Sequence, residues 1–151
     1  MIFLLGYPTN APVIERYGLI DRRMHQGIDY QTGAGDPVLS SGAGLVVLSQ
    51  FRGCRGLVVT IDHGDGIATT YYHLGRSLVR PGEQIKAGQA IALTACPKLH
   101  FGVIVSGSFV DPDKAVAFGI DRETGELNHP RLIKSILTTA TLAGIMIALE
   151  G

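Results

Sequence analysis

Leu57-Val-Val-Thr-Ile-Asp62-His63-Gly-Asp-Gly66-Ile67-Ala-Thr-Thr-Tyr-Tyr-His73 sets the texture of this chain. Two short runs, Leu57–Asp62 and Ile67–His73, are rich in β-branched and aromatic residues, which suit a pleated, half-buried surface. Between them, His63–Gly66 supplies the glycines and aspartate of a tight turn. The same texture extends outward in both directions. Gly27–Tyr30, Pro37–Leu39, Gly44–Gln50, Ala90–Leu93 and Leu99–Val105 read as further strands, with turn chemistry at Gly33–Asp36 and Arg52–Gly56. No sustained helical period interrupts residues 24–116. Short strands at this spacing predict a mainly β fold, an antiparallel sheet or sandwich-like core with short loops, plus a C-terminal helix.

The chain divides by composition into four parts. Residues 1–23 read as an irregular lead-in, limited by Pro8 and Pro12. Residues 24–118 form the strand-rich domain, and 119–129 a polar linker. Residues 130–151 form a hydrophobic helix, with Asn128 and Pro130 at its start. That tail reads either as an amphipathic helix packed on the domain or a partner, or as a membrane anchor at the lower limit of length. Met1–Gly6 is apolar but too short, and lacks the preceding positive charge, to be a signal peptide. With 151 residues and a formal net charge of zero, the chain suits one domain and offers no basic block for nucleic acid. Two cysteines, Cys54 and Cys96, make no disulfide framework, and one bridge or two free thiols are both open.

Polar residues inside the apolar pattern mark the candidate chemistry. In Pro97-Lys-Leu-His-Phe-Gly-Val103, apolar residues at 99, 101, 103 and 105 alternate, and Lys98 and His100 share the other face. His25 and Asp29 stand four apart, on one face if the segment is a strand, and both are zinc-ligand types. A third ligand such as His100 would complete a catalytic set with one position left for water. A salt-linked surface pair is the alternative for His25 and Asp29. His73 ends a strand, where a satisfied strand-end histidine is the plainer reading. His63 in its turn reads as structural, and His129 carries no role. Cys96 is a soft-ligand type four residues before His100, but Pro97 favours a loop there.

Taken in order, these stretches resemble the lysostaphin-type (LytM-like) zinc endopeptidases, which cut peptide cross-bridges of the bacterial cell wall. The resemblance rests on His25-Gln-Gly-Ile-Asp29, Gly35-Asp-Pro-Val38 with Gly42-Ala-Gly-Leu-Val, Val58-Val-Thr-Ile-Asp-His63-Gly-Asp-Gly66, Tyr71-Tyr-His73-Leu, Val79-Arg-Pro-Gly82 with Ile85-Lys-Ala-Gly88-Gln, Leu99-His100-Phe and Val110-Asp-Pro112. It covers about residues 20–116. It implies His25, Asp29 and His100 as zinc ligands, His73 as a catalytic histidine facing the scissile carbonyl, and hydrolysis assisted by Zn²⁺. The family has a further catalytic histidine where this chain has Lys98, and the preceding loop, Thr94-Ala-Cys96-Pro, is shorter than expected. Lys98 can substitute, taking a proton when neutral or stabilising an oxyanion when charged; otherwise His73 serves alone, or the protein binds without cutting. The complete ligand set favours an active enzyme, with activity reduced because Lys98 replaces a catalytic histidine.

The rival reading is a non-catalytic module of the same fold that binds the wall or activates another hydrolase. A biotinyl or lipoyl carrier, which Gly82–Gln89 resembles locally, is disfavoured because no Met-Lys pair is present. The expected partner is a peptidoglycan stem or cross-bridge peptide, with a membrane or protein partner through the C-terminal helix. Arg52 and Arg55 would suit a carboxylate-bearing stem peptide, or be part of a solvated loop. The expected place of action is the periplasm or cell wall. Delivery in a phage tail or lysis set, a C-terminal anchor, or origin as a fragment of an exported protein would each supply the route.

Overall fold

The computed structural model describes residues 1–128. The expected C-terminal helix and His129 lie outside the described residues. In chain order the strands are β1 (Ile2–Phe3), β2 (Val13–Glu15), β3 (Gly18–Ile20), β4 (Arg23–His25), β5 (Ile28–Gln31), β6 (Pro37–Leu39) and β7 (Gly44–Phe51). They continue with β8 (Leu57–Gly64), β9 (Ile67–Ser77), β10 (Gln84–Ile85), β11 (Ala90–Thr94), β12 (Lys98–Val105), β13 (Ser108–Val110) and β14 (Ile120–Asp121). The main sheet runs β10-β7-β8-β9-β12-β5-β2 and is antiparallel throughout, with β11 joining β6 to β9 and β13 flanking β12. The chain is thus the mainly β, antiparallel protein its strand spacing predicts.

Alternation along the central strands builds the core. In β12 the side chains of Leu99, Phe101 and Val103 are fully buried, while Lys98, His100 and Ile104 lie half-buried on the opposite face. Ile28 on β5, Ile61 on β8, Tyr71 on β9 and Ile91 on β11 join the same core. Each such side chain contributes roughly 1.5–3 kcal/mol of burial. The Tyr71 hydroxyl is not stranded there. It accepts from Ser41 N–H at 2.9 Å and meets Thr69 Oγ1 at 2.8 Å. His63 extends this buried network: Nδ1–H donates to the Ala43 carbonyl at 2.7 Å, which leaves Nε2, 2.8 Å away, to accept from Thr69. Burial lowers the pKa of His63, consistent with a neutral structural ring.

Three expectations about the ends of the domain need correction. The segment 1–23 is not irregular: β1 pairs with β14, β2 pairs with β5, and β3 forms a hairpin with β4. The stretch 119–129 is not simply a linker, because β14 lies within it and Arg122 N–H donates to the Met1 carbonyl at 2.8 Å. A helix, α1 (Pro112–Phe118), occurs inside the strand-rich domain. Asp111 caps it by accepting from Asp113 N–H at 3.0 Å, and Pro112 opens the first turn, where its missing N–H costs nothing. Both cysteines are exposed free thiols. Among the described residues no helix is long and apolar enough to cross a membrane.

Candidate metal centre

The register of the sheet brings the polar residues together. His100 on β12 lies opposite Asp29 on β5 and, on its other side, opposite Tyr72 on β9. His25 reaches the same place from a different strand. β4 ends at His25 and β5 begins at Ile28, so His25 and Asp29 do not share a strand face as their spacing suggests. Gln26 and Gly27 turn the chain between them. Gly27 is required by close approach: a Cβ there would stand 2.6 Å from both Cε1 and Nε2 of His100 and would also strike the Phe101 carbonyl. One ligand-type atom from each of His25, Asp29 and His100 lies within 4.8 Å of the others, and this is the sole such group among the described residues.

Hydrogen bonding sets the direction of the donor atoms in this cluster. His25 Nδ1–H donates to the Arg16 carbonyl at 2.9 Å, which turns Nε2 toward Asp29 Oδ1 at 3.2 Å. His100 Nδ1 lies 2.6 Å from the same Asp29 Oδ1. Two ring nitrogens thus converge on one carboxylate oxygen, an arrangement that needs protons or a cation between them. Donors arranged tetrahedrally about zinc at ~2.0–2.2 Å stand roughly 3.4 Å apart, close to the observed His25–Asp29 spacing. The donor set, two imidazoles and a carboxylate, fits a divalent metal, and the Arg16 carbonyl is the kind of outer partner that fixes a ligating histidine. Burial pushes the Asp29 carboxyl up, but the His100 hydrogen bond and the charges of His100, His25 and Lys98 outweigh it and hold the pKa at about 2.

A cleft of about 290 Å³ lies beside the cluster, and Glu15, Arg55, Tyr72, His73, Lys98 and Phe109 help to line it. Lys98 points into it, and its Nζ lies 3.3 Å from Asp29 Oδ2. His73 enters through a bulge: Tyr72 and His73 together oppose Val58, and His73 takes a φ of 60°. That twist lets two consecutive residues face one cleft, which regular alternation forbids. Among the described residues no hydrogen bond engages the His73 ring. Burial, then the charges of Lys98 and His100, lower its pKa from the ordinary histidine value. Tyr72 stacks on His100 with centroids 5.0 Å apart and planes 18° apart.

Sequence reading missed Glu15, Tyr72 and Phe109. Glu15 Oε2 comes within 3.7 Å of His25 Nε2 because β2 pairs with β5, a contact that no local pattern announces. Cys96, weighed as a soft ligand, is an exposed residue before β12 and does not join the cluster.

An antiparallel β domain with a His–Asp–His cluster at the floor of a cleft defines the class as a candidate metallohydrolase. The family model "Peptidase family M23" matches residues 23–112, more than half of the chain, so the chain belongs to that family, the one that contains lysostaphin. Peptidoglycan DD-endopeptidase ShyA of Vibrio cholerae is 37% identical over 97 residues, covering 60% of this chain and 23% of that protein. Murein hydrolase activator NlpD of Salmonella dublin is 33% identical over 113 residues, covering 70% of this chain and 29% of that protein. The crystal structure of a zinc containing peptidase from Vibrio cholerae superposes with a TM-score of 0.67 at 31% identity, covering 73% of this chain and 39% of that one. The chain therefore spans well under half the length of these relatives.

Proposed function

We propose that this protein is a zinc-dependent endopeptidase that hydrolyses peptide bonds in bacterial peptidoglycan cross-links. The observation that carries the reading is the convergence of His25, Asp29 and His100 on the floor of a cleft that His73 also lines. His25 through Nε2, Asp29 through its carboxylate and His100 through Nδ1 would hold the metal. Bound zinc lowers the pKa of a water toward neutrality and polarises a carbonyl. His73, with its pKa lowered and its ring unengaged, is suited to accept a proton at a ring nitrogen and return it to the leaving amine. Lys98 is paired with Asp29, and its role is to steady the carboxylate and offset negative charge developing in the cleft. The working unit includes residues 1–23, because Glu15 and the Arg16 carbonyl reach His25. The relatives' names point to the bacterial wall as the place of action, and the proposal needs neither phage delivery nor a C-terminal anchor.

A second reading is a wall-binding or hydrolase-activating module. It is favoured by the same Lys98–Asp29 pair, which sets a cation against a candidate ligand, and by the likeness to a murein hydrolase activator. Metal analysis of the purified protein, joined to turbidity loss and new peptide ends from a cell-wall suspension, separates the two. The enzyme reading expects about one zinc per chain, lost in His100→Ala, and release of peptide ends. A zinc-loaded protein that never releases ends sinks it; zinc retained in His100→Ala sinks the ligand assignment.

A further inference from the structure

The loop after β7 carries two arginines that the mechanism above does not use. Arg52 N–H donates to the Gly56 carbonyl at 2.9 Å and Arg55 N–H to the Arg52 carbonyl at 3.1 Å, so the loop closes on itself through the 3-10 turn Gly53–Arg55. Its side chains are consequently presented from a defined backbone. The Arg55 guanidinium carbon lies 5.2 Å over the Tyr72 ring. Tyr72 in turn stacks on His100. Guanidinium, phenol and imidazole therefore form one pile that runs from the loop to the candidate metal centre. Arg52 is braced from behind: with the Gln50 amide oxygen turned toward it, that oxygen accepts from Nε at 2.9 Å and Nη2 at 3.1 Å.

Charge distribution decides what this pile is for. The cleft is lined by two cations. Lys98 is spent on Asp29, whereas Arg55 has no carboxylate partner among the described residues. Neither does Arg52. The acidic side chains of the cleft, Glu15 and Asp29, adjoin His25 rather than the arginine loop. Arg55 also lines a second hollow of about 300 Å³, shared with Arg52, Leu48, Thr60, Thr70 and Ile104, so the basic end of the cleft continues along the sheet. A planar guanidinium seated on an aromatic face keeps its outer N–H edge free, and that fork matches a carboxylate bidentately. A peptide entering the cleft with a carboxylate is thus repelled at one end and received at the other.

We propose that Arg55, seated on Tyr72 and supported by Arg52, forms a carboxylate-binding subsite, and that the substrate is a peptide carrying a free carboxylate beside the bond to be cut. The inference rests on the peptidase reading above for the position of that bond. The carboxylate has two possible sources, the C-terminus of a short stem peptide or the side chain of a diacid residue.

The test uses the full chain and short synthetic wall peptides in three forms: both carboxylates free, side chain amidated, and C-terminus amidated. Binding is read by calorimetry with the metal chelated, and kcat/KM with zinc supplied. Amidating the recognised carboxylate is expected to weaken binding about tenfold in the wild type, the size of one charge-assisted contact. The position at which amidation costs affinity identifies the source. Arg55→Gln should abolish the distinction between acid and amide, with the acid form losing affinity and the amide form unchanged. Arg55→Lys, which keeps the charge without the fork, should restore part of it. Equal affinity of all three peptides for the wild type overturns the proposal. So does an Arg55→Gln variant in which the amide forms lose affinity along with the acid form, since that outcome makes Arg55 only a support for the Tyr72–His100 stack. Intact acid preference without cleavage of any peptide would sink the peptidase reading and leave the subsite standing.

Discussion

Gly27→Ala is the most demanding probe of the candidate metal centre, because one methyl group must find room against a ligand. The new Cβ would stand 2.6 Å from two atoms of the His100 ring and against the backbone carbonyl of Phe101. The carbonyl belongs to β12 and cannot swing aside alone. The ring has little freedom either: Asp29 holds Nδ1 at 2.6 Å, and Tyr72 stacks on its face. Either the imidazole tilts out of position or β5 and β12 part slightly where Phe101 faces Ile28. Overpacking of this kind costs about 1–3 kcal/mol of stability. Misplacing one ligand should weaken zinc binding about 10–100-fold, the range seen when a group that orients a ligand is removed. Denaturant unfolding of the zinc-free protein measures the first quantity, and competition against a chelator of known affinity the second. Gly33→Ala is the control, since nothing lies within 4 Å of its added Cβ. Unchanged stability and unchanged zinc affinity in Gly27→Ala would refute both the packing and the assignment of His100.

Further predictions concern charge and proton transfer. Lys98→His should raise the rate of peptide-end release at least about tenfold with zinc still bound, by returning a second proton-transfer group to the cleft; no gain in rate would mean that other parts of the cleft are degenerate too. Asp29, with a folded pKa of about 2 against an ordinary 3.8, contributes stability that is fully present above about pH 5 and is lost as pH falls through 3.8 and 2. That loss amounts to about 2 kcal/mol in the zinc-free protein at 1.36 kcal/mol per unit, and Asp29→Asn should flatten it in acid unfolding curves. A wild-type acid limb identical to that of Asp29→Asn would contradict the assignment. His73, whose pKa is lowered, should remain neutral at pH 7, so kcat/KM should hold until pH falls below the ordinary histidine range. His73→Ala should cut kcat by about 10²–10⁴-fold without loss of zinc, and a metal analysis showing lost zinc would recast His73 as a ligand.

What the sequence revealed and concealed follows from range. The strands around Leu57–His73 and Leu99–Val105 were legible because alternation and turn residues are local signals. So was the shared face of Lys98 and His100, which β12 preserves. The pairing of β1 with β14 had no such signal, since its partners lie at opposite ends of the described chain. The β3–β4 hairpin was hidden by its turn: Asp21 and Arg22 both take positive φ, 46° and 65°, without the glycine or asparagine that usually marks that geometry. α1 is only seven residues, too short for a helical period to emerge. In the site, the four-residue spacing of His25 and Asp29 suggests one strand face, but the two meet across a turn at Gln26 and Gly27. Tyr72 was invisible because a regular strand cannot show consecutive residues to one cleft, and only the bulge at His73 permits it.

The contact between Asp29 and His100 joins residues 71 positions apart. It exists only after β5 has docked on β12, and the chain entropy of closing that loop is spent before any bond forms. A cation held across those residues therefore recognises the finished sheet and has no grip on the chain still approaching it. Its binding energy deepens the native state without lowering the folding barrier, so it raises the barrier to escape. In kinetic terms, metal would lengthen the lifetime of the folded protein without hastening its formation.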